Sequence, residues 1–186
     1  MSDKRTFLRQ FWKEKKMIGA MSPSSKFLAK KMLEPINFNE DKVLVELGPG
    51  TGVFTRQLVE KMANDAQLFV FELNDYFVQL LEKEFAQDKR VHIIHDSAEH
   101  ISRYLHNYNC DAPNVILSSL PLANFPDDLR NKLLRSIKET MTEHSKFIQF
   151  QYSLVYKNAI RELFKEVTIS FTPMNFPPAF VFNCKK

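Results

Sequence analysis

Residues 45–54, Val-Glu-Leu-Gly-Pro-Gly-Thr-Gly-Val-Phe, constrain this chain more than any other stretch: an apolar run enters a turn holding three of the protein's four glycines and leaves as an amphipathic segment. Glycine is needed where backbone takes positive φ or lies against a ligand with no Cβ between. An apolar strand, a glycine turn and a helix together open a parallel sheet whose ligand crevice lies beyond the carboxyl ends of its strands. The spacing Gly48-x-Gly50-x-Gly52 differs from the Gly-x-Gly-x-x-Gly of dinucleotide sites, and the acidic Glu46 stands just before the turn. Both features favour a nucleoside ligand that lacks a pyrophosphate.

The rest of the chain repeats this rhythm. Strands are expected at 42–47, 67–72, 91–95, 114–119 and 146–152, and helices at 52–63, 75–86, 98–107, 126–141 and 154–164. Strands alternating with crossover helices predict an α/β fold, a doubly wound, mostly parallel sheet. The tail departs from the pattern: runs at 167–172 and 179–183 are joined by Pro173-Met174-Asn175-Phe176-Pro177-Pro178 with no helix between. A hairpin is the economical reading, and it places an antiparallel strand in or at the edge of the sheet. At 186 residues the chain is one domain, with a basic N-terminal segment (1–34) belonging to the same unit as the ligand-binding part (35–186). Seventeen Phe and 44% hydrophobic residues rule out a disordered chain. There is no apolar run long enough to span a bilayer and no signal-peptide pattern at the start, so a cytoplasmic protein is expected. Two cysteines, Cys110 and Cys184, support neither a disulfide framework nor a cysteine-rich zinc site, and no spacing suggests a metal.

Two acids extend the glycine turn into a site. Glu72 closes the second strand, where a carboxylate can accept from both hydroxyls of a ribose, and Asp96 follows the third strand, where with Ser97 and Ala98 it can meet an adenine. A lone acid at a strand end is most often a helix cap. Here the turn, Glu72 and Asp96 fall at three successive strand ends, which chance seldom produces. In this arrangement the chain from Lys42 onward resembles the class I S-adenosylmethionine-dependent methyltransferases. The resemblance implies a seven-stranded sheet with a reversed last strand and S-adenosylmethionine as cofactor. It further implies that Gly48, Gly50 and Gly52 pass beneath the methionine and ribose, that Glu72 takes the ribose, that Asp96, Ser97 and Ala98 hold the adenine, and that Glu46 and Ser118 face the cofactor from strand ends.

The acceptor is read from the end of the fourth strand, Ser118-Ser119-Leu120-Pro121-Leu122-Ala123-Asn124-Phe125-Pro126. Ribosomal RNA adenine dimethyltransferases, which the chain also resembles, carry an amide or acid, an apolar residue, Pro and an aromatic here. Ser119-Leu120-Pro121-Leu122 lacks both the group that aligns a base amine and the ring that stacks a flipped base, so nucleic acid is not the expected partner. The pattern Ser-x-Leu-Pro-Leu-x-Asn-Phe-Pro, the run 18–25 (Ile-Gly-Ala-Met-Ser-Pro-Ser-Ser) and Phe150-Gln151-Tyr152 are similar to the short soluble bacterial phospholipid N-methyltransferases, with Ser119 where Gly is usual. That resemblance implies methylation of a membrane aminolipid, phosphatidylethanolamine first, with ornithine lipids as a related acceptor. Tyr152 is the expected amine-orienting group, backbone carbonyls from Ser118 to Leu120 are candidate acceptors from the amine, and Phe125 and Phe176 are further aromatic candidates for a cationic product. None of the five histidines has a partner recognisable in the sequence.

Charge points the same way. Residues 1–34 carry nine Lys and Arg against three acids, a net +6 in a chain whose total is +4. On a helical wheel Phe7, Phe11 and Ile18 gather on one side with Leu8 and Trp12, opposite Arg5, Arg9, Lys13 and Lys16. A basic amphipathic helix of this kind lies in an anionic lipid interface, which predicts a peripheral protein on the inner face of the membrane. A second basic helix, capped at Ser22-Pro23, should carry Lys26, Lys30 and Lys31.

Overall fold

The computed structural model describes residues 26–186. The expected N-terminal amphipathic helix, the 18–25 match and the Ser22-Pro23 cap lie outside the described residues. Helix α1 (Lys26–Leu33) comes first, and then strands and helices alternate: β1 (Val43–Leu47), α2 (Val53–Lys61), β2 (Gln67–Phe71), α3 (Asp75–Phe85), β3 (Val91–Ile94), α4 (Ile101–Asn107), β4 (Val115–Ser118), α5 (Asp127–Thr140), β5 (Lys146–Gln151) and α6 (Lys157–Leu163). The chain ends with β6 (Glu166–Thr172) and β7 (Ala179–Lys185).

The seven strands run in the order β3-β2-β1-β4-β5-β7-β6. Pairs among the first five are parallel, and β7 is antiparallel to both β5 and β6. The order reverses between β1 and β4, so the crevice that such a sheet offers a ligand opens beyond Leu47 and Ser118, which are register partners. The tail is the expected hairpin, but its second strand is the one inserted beside β5. Burial explains the choice: Ala179, Val181, Phe182 and Cys184 are all buried, whereas β6 is only partly covered and suits an edge.

Both faces of the sheet are covered. Val45, Leu47, Phe69, Ile116, Phe147 and Phe182 share one core with α4, α5 and α6. Leu44, Leu68, Leu117, Ile148 and Val181 share the other with α1, α2 and α3. Helix α1 belongs to this second core: its Leu28, Ala29 and Met32 are fully buried. Full burial of a side chain of this size contributes about 2 kcal/mol, so α1 is anchored by packing although its exposed side is basic. The expected helix at 98–107 opens as a single 3₁₀ turn, Ala98–His100, and the one expected from 154 begins at Lys157. In both places the chain spends residues at the carboxyl edge of the sheet, where the site is built.

Candidate active site

The glycine turn is as tight as its composition demands. Gly48 has φ 69°, and a Cβ there would stand 2.9 Å from Leu120 Cδ2. The turn and the segment after β4 therefore meet at a contact only glycine permits. Gly50 has φ 56° and open space within 4 Å of where its Cβ would be, which leaves a bare shelf of backbone at the turn. Gly52 caps α2.

Glu72 ties this shelf to the end of β2. Its Oε2 accepts from Gly50 N–H at 3.3 Å, and its Oε1 accepts from Leu73 N–H at 2.7 Å and Asn74 N–H at 2.9 Å. Burial raises the pKa of this carboxyl above the ordinary range, while the three N–H donors and His95 oppose the shift. A carboxylate offers about four lone-pair positions, so Oε2 keeps room for a ligand hydroxyl. Asp96 is engaged differently. Its Oδ1 accepts from Ser97 N–H (2.7 Å) and lies 3.0 Å from His100 Nδ1, while its Oδ2 accepts from Arg103 (2.8 Å) and the Tyr104 hydroxyl (3.1 Å). Burial pushes the Asp96 pKa up, but the bonds from Ser97, His100 and Tyr104 outweigh it and hold the group below the usual carboxylate range. The expected adenine contact of Asp96 thus competes with partners supplied by the chain itself. Ser97 also caps the 3₁₀ turn, its hydroxyl accepting from Glu99 N–H at 3.3 Å.

Glu46 is fully buried, and neither of its carboxyl oxygens makes a hydrogen bond of good geometry. Burial pushes its pKa up to about 8, with Thr55 opposing the shift and the nearby Glu72 charge adding to it.

These residues divide into those that line the cleft and those that support it. Gly48, Glu72, Asp96, Ser97, Ala98 and Leu120 line one cleft. Gly50, Gly52, Glu46 and Ser118 stand behind its wall. The Ser118 hydroxyl accepts from Leu120 N–H at 3.3 Å and so shapes the turn after β4.

A second cavity of about 200 Å³ lies on the other side of that turn, lined by Ser119, Leu120, Pro121, Asn124, Gln151 and Tyr152 among others. Leu120 lines both spaces, so its side chain is the partition between them. Its carbonyl accepts from Leu122 N–H at 2.8 Å and from Gln149 Nε2 at 3.0 Å. Two donors fill a carbonyl oxygen, so this carbonyl has no lone pair left for the amine it was expected to meet. Gln149 is fully buried in β5 opposite Ser118. The sequence reading passed over it, although an amide in the otherwise apolar Phe147-Ile148-Gln149-Phe150 was a signal.

Tyr152 opens on this cavity and is 47% exposed. Burial raises its phenol pKa, opposed by a hydrogen bond with the side chain of Asn175, itself buried in the β6–β7 turn. The hairpin turn therefore reaches the acceptor side, a long-range contact no local motif announces. Of the other aromatic candidates, Phe125 lines the first cleft and Phe176 is 85% exposed on the hairpin turn. His92 is half-buried, its ring 4.8 Å from Phe69 and 4.2 Å from Tyr108, and burial lowers its pKa. No histidine lines the acceptor cavity. Among the described residues no cluster of His, Cys, Asp or Glu could hold a metal, and no helix is long and apolar enough to cross a membrane.

The close-packed glycine turn and the lone pair that Glu72 keeps free beside it fit a nucleoside. Together with a seven-stranded sheet whose last strand is reversed, they define a class I methyltransferase that uses S-adenosylmethionine. The family model "Ribosomal RNA adenine dimethylase" matches residues 14–165, and the chain belongs to that family. Over its whole length it is 30% identical to an ornithine lipid N-methyltransferase of Singulisphaera acidiphila, covering 97% of that protein. A ribosomal RNA small subunit methyltransferase A of a Sulfurihydrogenibium species is 31% identical, but over 40% of this chain and 28% of its own length. Among solved structures, a precorrin-6y C5,15-methyltransferase of Geobacter metallireducens superposes with a TM-score of 0.67 at 11% identity, covering 90% of this chain and 92% of the other, a likeness of fold alone.

Proposed function

We propose that the protein methylates the head-group amine of a membrane aminolipid, phosphatidylethanolamine or an ornithine lipid, and works as a peripheral protein on the cytoplasmic face. The observation that carries this reading is the end-to-end match to the ornithine lipid enzyme, set against a ribosomal RNA enzyme matched over little more than a quarter of its length. The acceptor cavity agrees with it: Leu122 stands where a base-stacking ring is needed, and the lining includes the small polar Ser119 and the phenol of Tyr152.

When bound, S-adenosylmethionine supplies an electrophilic methyl group. The chain's own residues then have two tasks. Glu72 and the Gly48–Gly52 backbone hold the nucleoside side, and Leu120 keeps the two spaces apart except along its edge. An amine with a pKa near 10 must lose its proton before it attacks, and a partly desolvated cavity lowers that cost. Tyr152, a neutral phenol fixed by Asn175, orients the amine. Alignment, rather than a dedicated base, supplies most of the acceleration.

The test is transfer of labelled methyl from S-adenosylmethionine to vesicles containing phosphatidylethanolamine or ornithine lipid, with an RNA sample beside them. Label in either lipid is expected, and chromatography tells the two head groups apart. Label in RNA alone, or in no acceptor offered, overturns the proposal.

A further inference from the structure

Among the described residues nine large apolar side chains are exposed, and six of them are Tyr152, Leu154, Val155, Phe171, Met174 and Phe176. They gather at one edge. Tyr152, Leu154 and Val155 follow the carboxyl end of β5, while Phe171, Met174 and Phe176 belong to the end of β6 and the hairpin turn. Gln151 is the register partner of Phe180, Thr172 that of Ala179, and Tyr152 hydrogen bonds with Asn175, so the two segments meet beside the acceptor cavity. Val155 is 74% exposed, Met174 65% and Phe176 85%. Monomeric proteins seldom leave such a patch open without using it.

The patch is also held rigid. The Arg130 guanidinium lies 3.5 Å from the centre of the Tyr156 ring, which fixes the segment after β5. Asn175 Nδ2 donates to Pro177 O at 2.7 Å, which fixes the hairpin turn. Charge completes the picture: residues 167–183 contain no Asp, Glu, Lys or Arg, and residues 147–161 contain Lys157 and Arg161 but no acid. A rim whose own residues carry no charge, with Lys157 and Arg161 beside it and Glu162 and Glu166 further along the chain, suits a lipid interface.

We infer that this rim, led by Val155, Met174 and Phe176, inserts into the bilayer interface and sets the acceptor cavity against the head groups. The inference rests on the aminolipid reading above and concerns residues outside the N-terminal basic segment. With Tyr152 shared by the rim and the cavity lining, a lipid amine would enter without its chains leaving the membrane.

The test uses the full chain with Cys110→Ser and an environment-sensitive NBD label at Phe176→Cys, added to phosphatidylethanolamine–phosphatidylglycerol vesicles. Cys184 is buried, with its thiol pKa pushed up to about 12, and does not compete for the label. A several-fold rise and blue shift in emission is expected at position 176. The same label at Glu82→Cys, on α3 at the opposite side of the sheet, should stay unchanged. In parallel, Val155→Glu with Phe176→Glu should weaken vesicle partition at least tenfold and leave affinity for S-adenosylmethionine unaltered. A silent label on protein that floats with vesicles overturns the inference, as does failure to bind vesicles at all. So does a concentration-dependent dimer that Val155→Glu abolishes, since the rim then belongs to a second copy. Lipid methylation with a silent label sinks only the rim. A label response without methylation of any aminolipid supports the rim and sinks the reaction.

Discussion

The two halves of the site are held in different ways. The nucleoside side, at the ends of β1, β2 and β3, rests on two acids bonded by the chain itself, Glu72 by three backbone N–H groups and Asp96 by four donors, over the buried Glu46, whose oxygens make no bond of good geometry. The second cavity, at the ends of β4 and β5, reaches the surface at the half-exposed Tyr152, and Ser119 Oγ and Gln151 Nε2 in its lining likewise lack partners. A ligand common to a whole class of enzymes can be met by a fixed constellation. An acceptor that differs from member to member is met by a surface that changes with it. Leu120 is where the two halves touch.

Breaking that junction should have the largest effect. Gly48→Val places a branched side chain at φ 69° and 2.9 Å from Leu120 Cδ2. Strain and overpacking of about 4 kcal/mol correspond to a loss of about 1,000-fold in methyl transfer. Steady-state kinetics and cofactor titration should both register it, because both halves move.

Glu46→Gln sharpens the comparison by loosening the polar half. The unfolded chain releases this proton near pH 4.5, whereas the folded chain keeps it until about pH 8. The unfolded state thus binds fewer protons across that window, and stability falls as pH rises through it. The glutamine variant has no such slope and should be more stable by about 3 kcal/mol at pH 7. Melting curves should show the gap in Tm widening from pH 5 to pH 8, while cofactor affinity drops.

On the acceptor side, Gln149→Leu removes one of the two donors that hold the Leu120 carbonyl. Leaving that buried acceptor short by one bond costs about 1–2 kcal/mol, which predicts about a tenfold fall in kcat with cofactor affinity unchanged. The smallest effect is expected from Arg103→Ala. Its guanidinium is 59% exposed where it meets Asp96, and exposed pairs contribute about 0.2–1 kcal/mol. Cofactor affinity should change less than about fivefold by the same scale.

The same asymmetry decided what could be read in advance. Local chemistry announced the nucleoside half: glycines that need positive φ and an acid at each of two strand ends leave marks within a few residues, whereas the Ser97-capped 3₁₀ turn emerged only in the structure. The hairpin was legible too, because a Pro-rich turn with no helix on either side excludes another crossover. The acceptor half depends on contacts far apart in the chain. Asn175 reaches Tyr152 across the tail, and Gln149 grips Leu120 from the neighbouring strand. His100, Arg103 and Tyr104 close around Asp96 only because a 3₁₀ turn sets α4 beneath it. The insertion of β7 beside β5 follows from which strand buries both faces, a property of the packed sheet.

The most direct test of this division is a calorimetric titration of S-adenosylhomocysteine into the wild-type protein, Glu72→Ala and Tyr152→Phe side by side. The account predicts that Glu72→Ala weakens binding about 100-fold, the scale of losing a buried carboxylate's bonds to a ligand, and that Tyr152→Phe binds as the wild type does. Equal losses in both variants, or a loss confined to Tyr152→Phe, would contradict it.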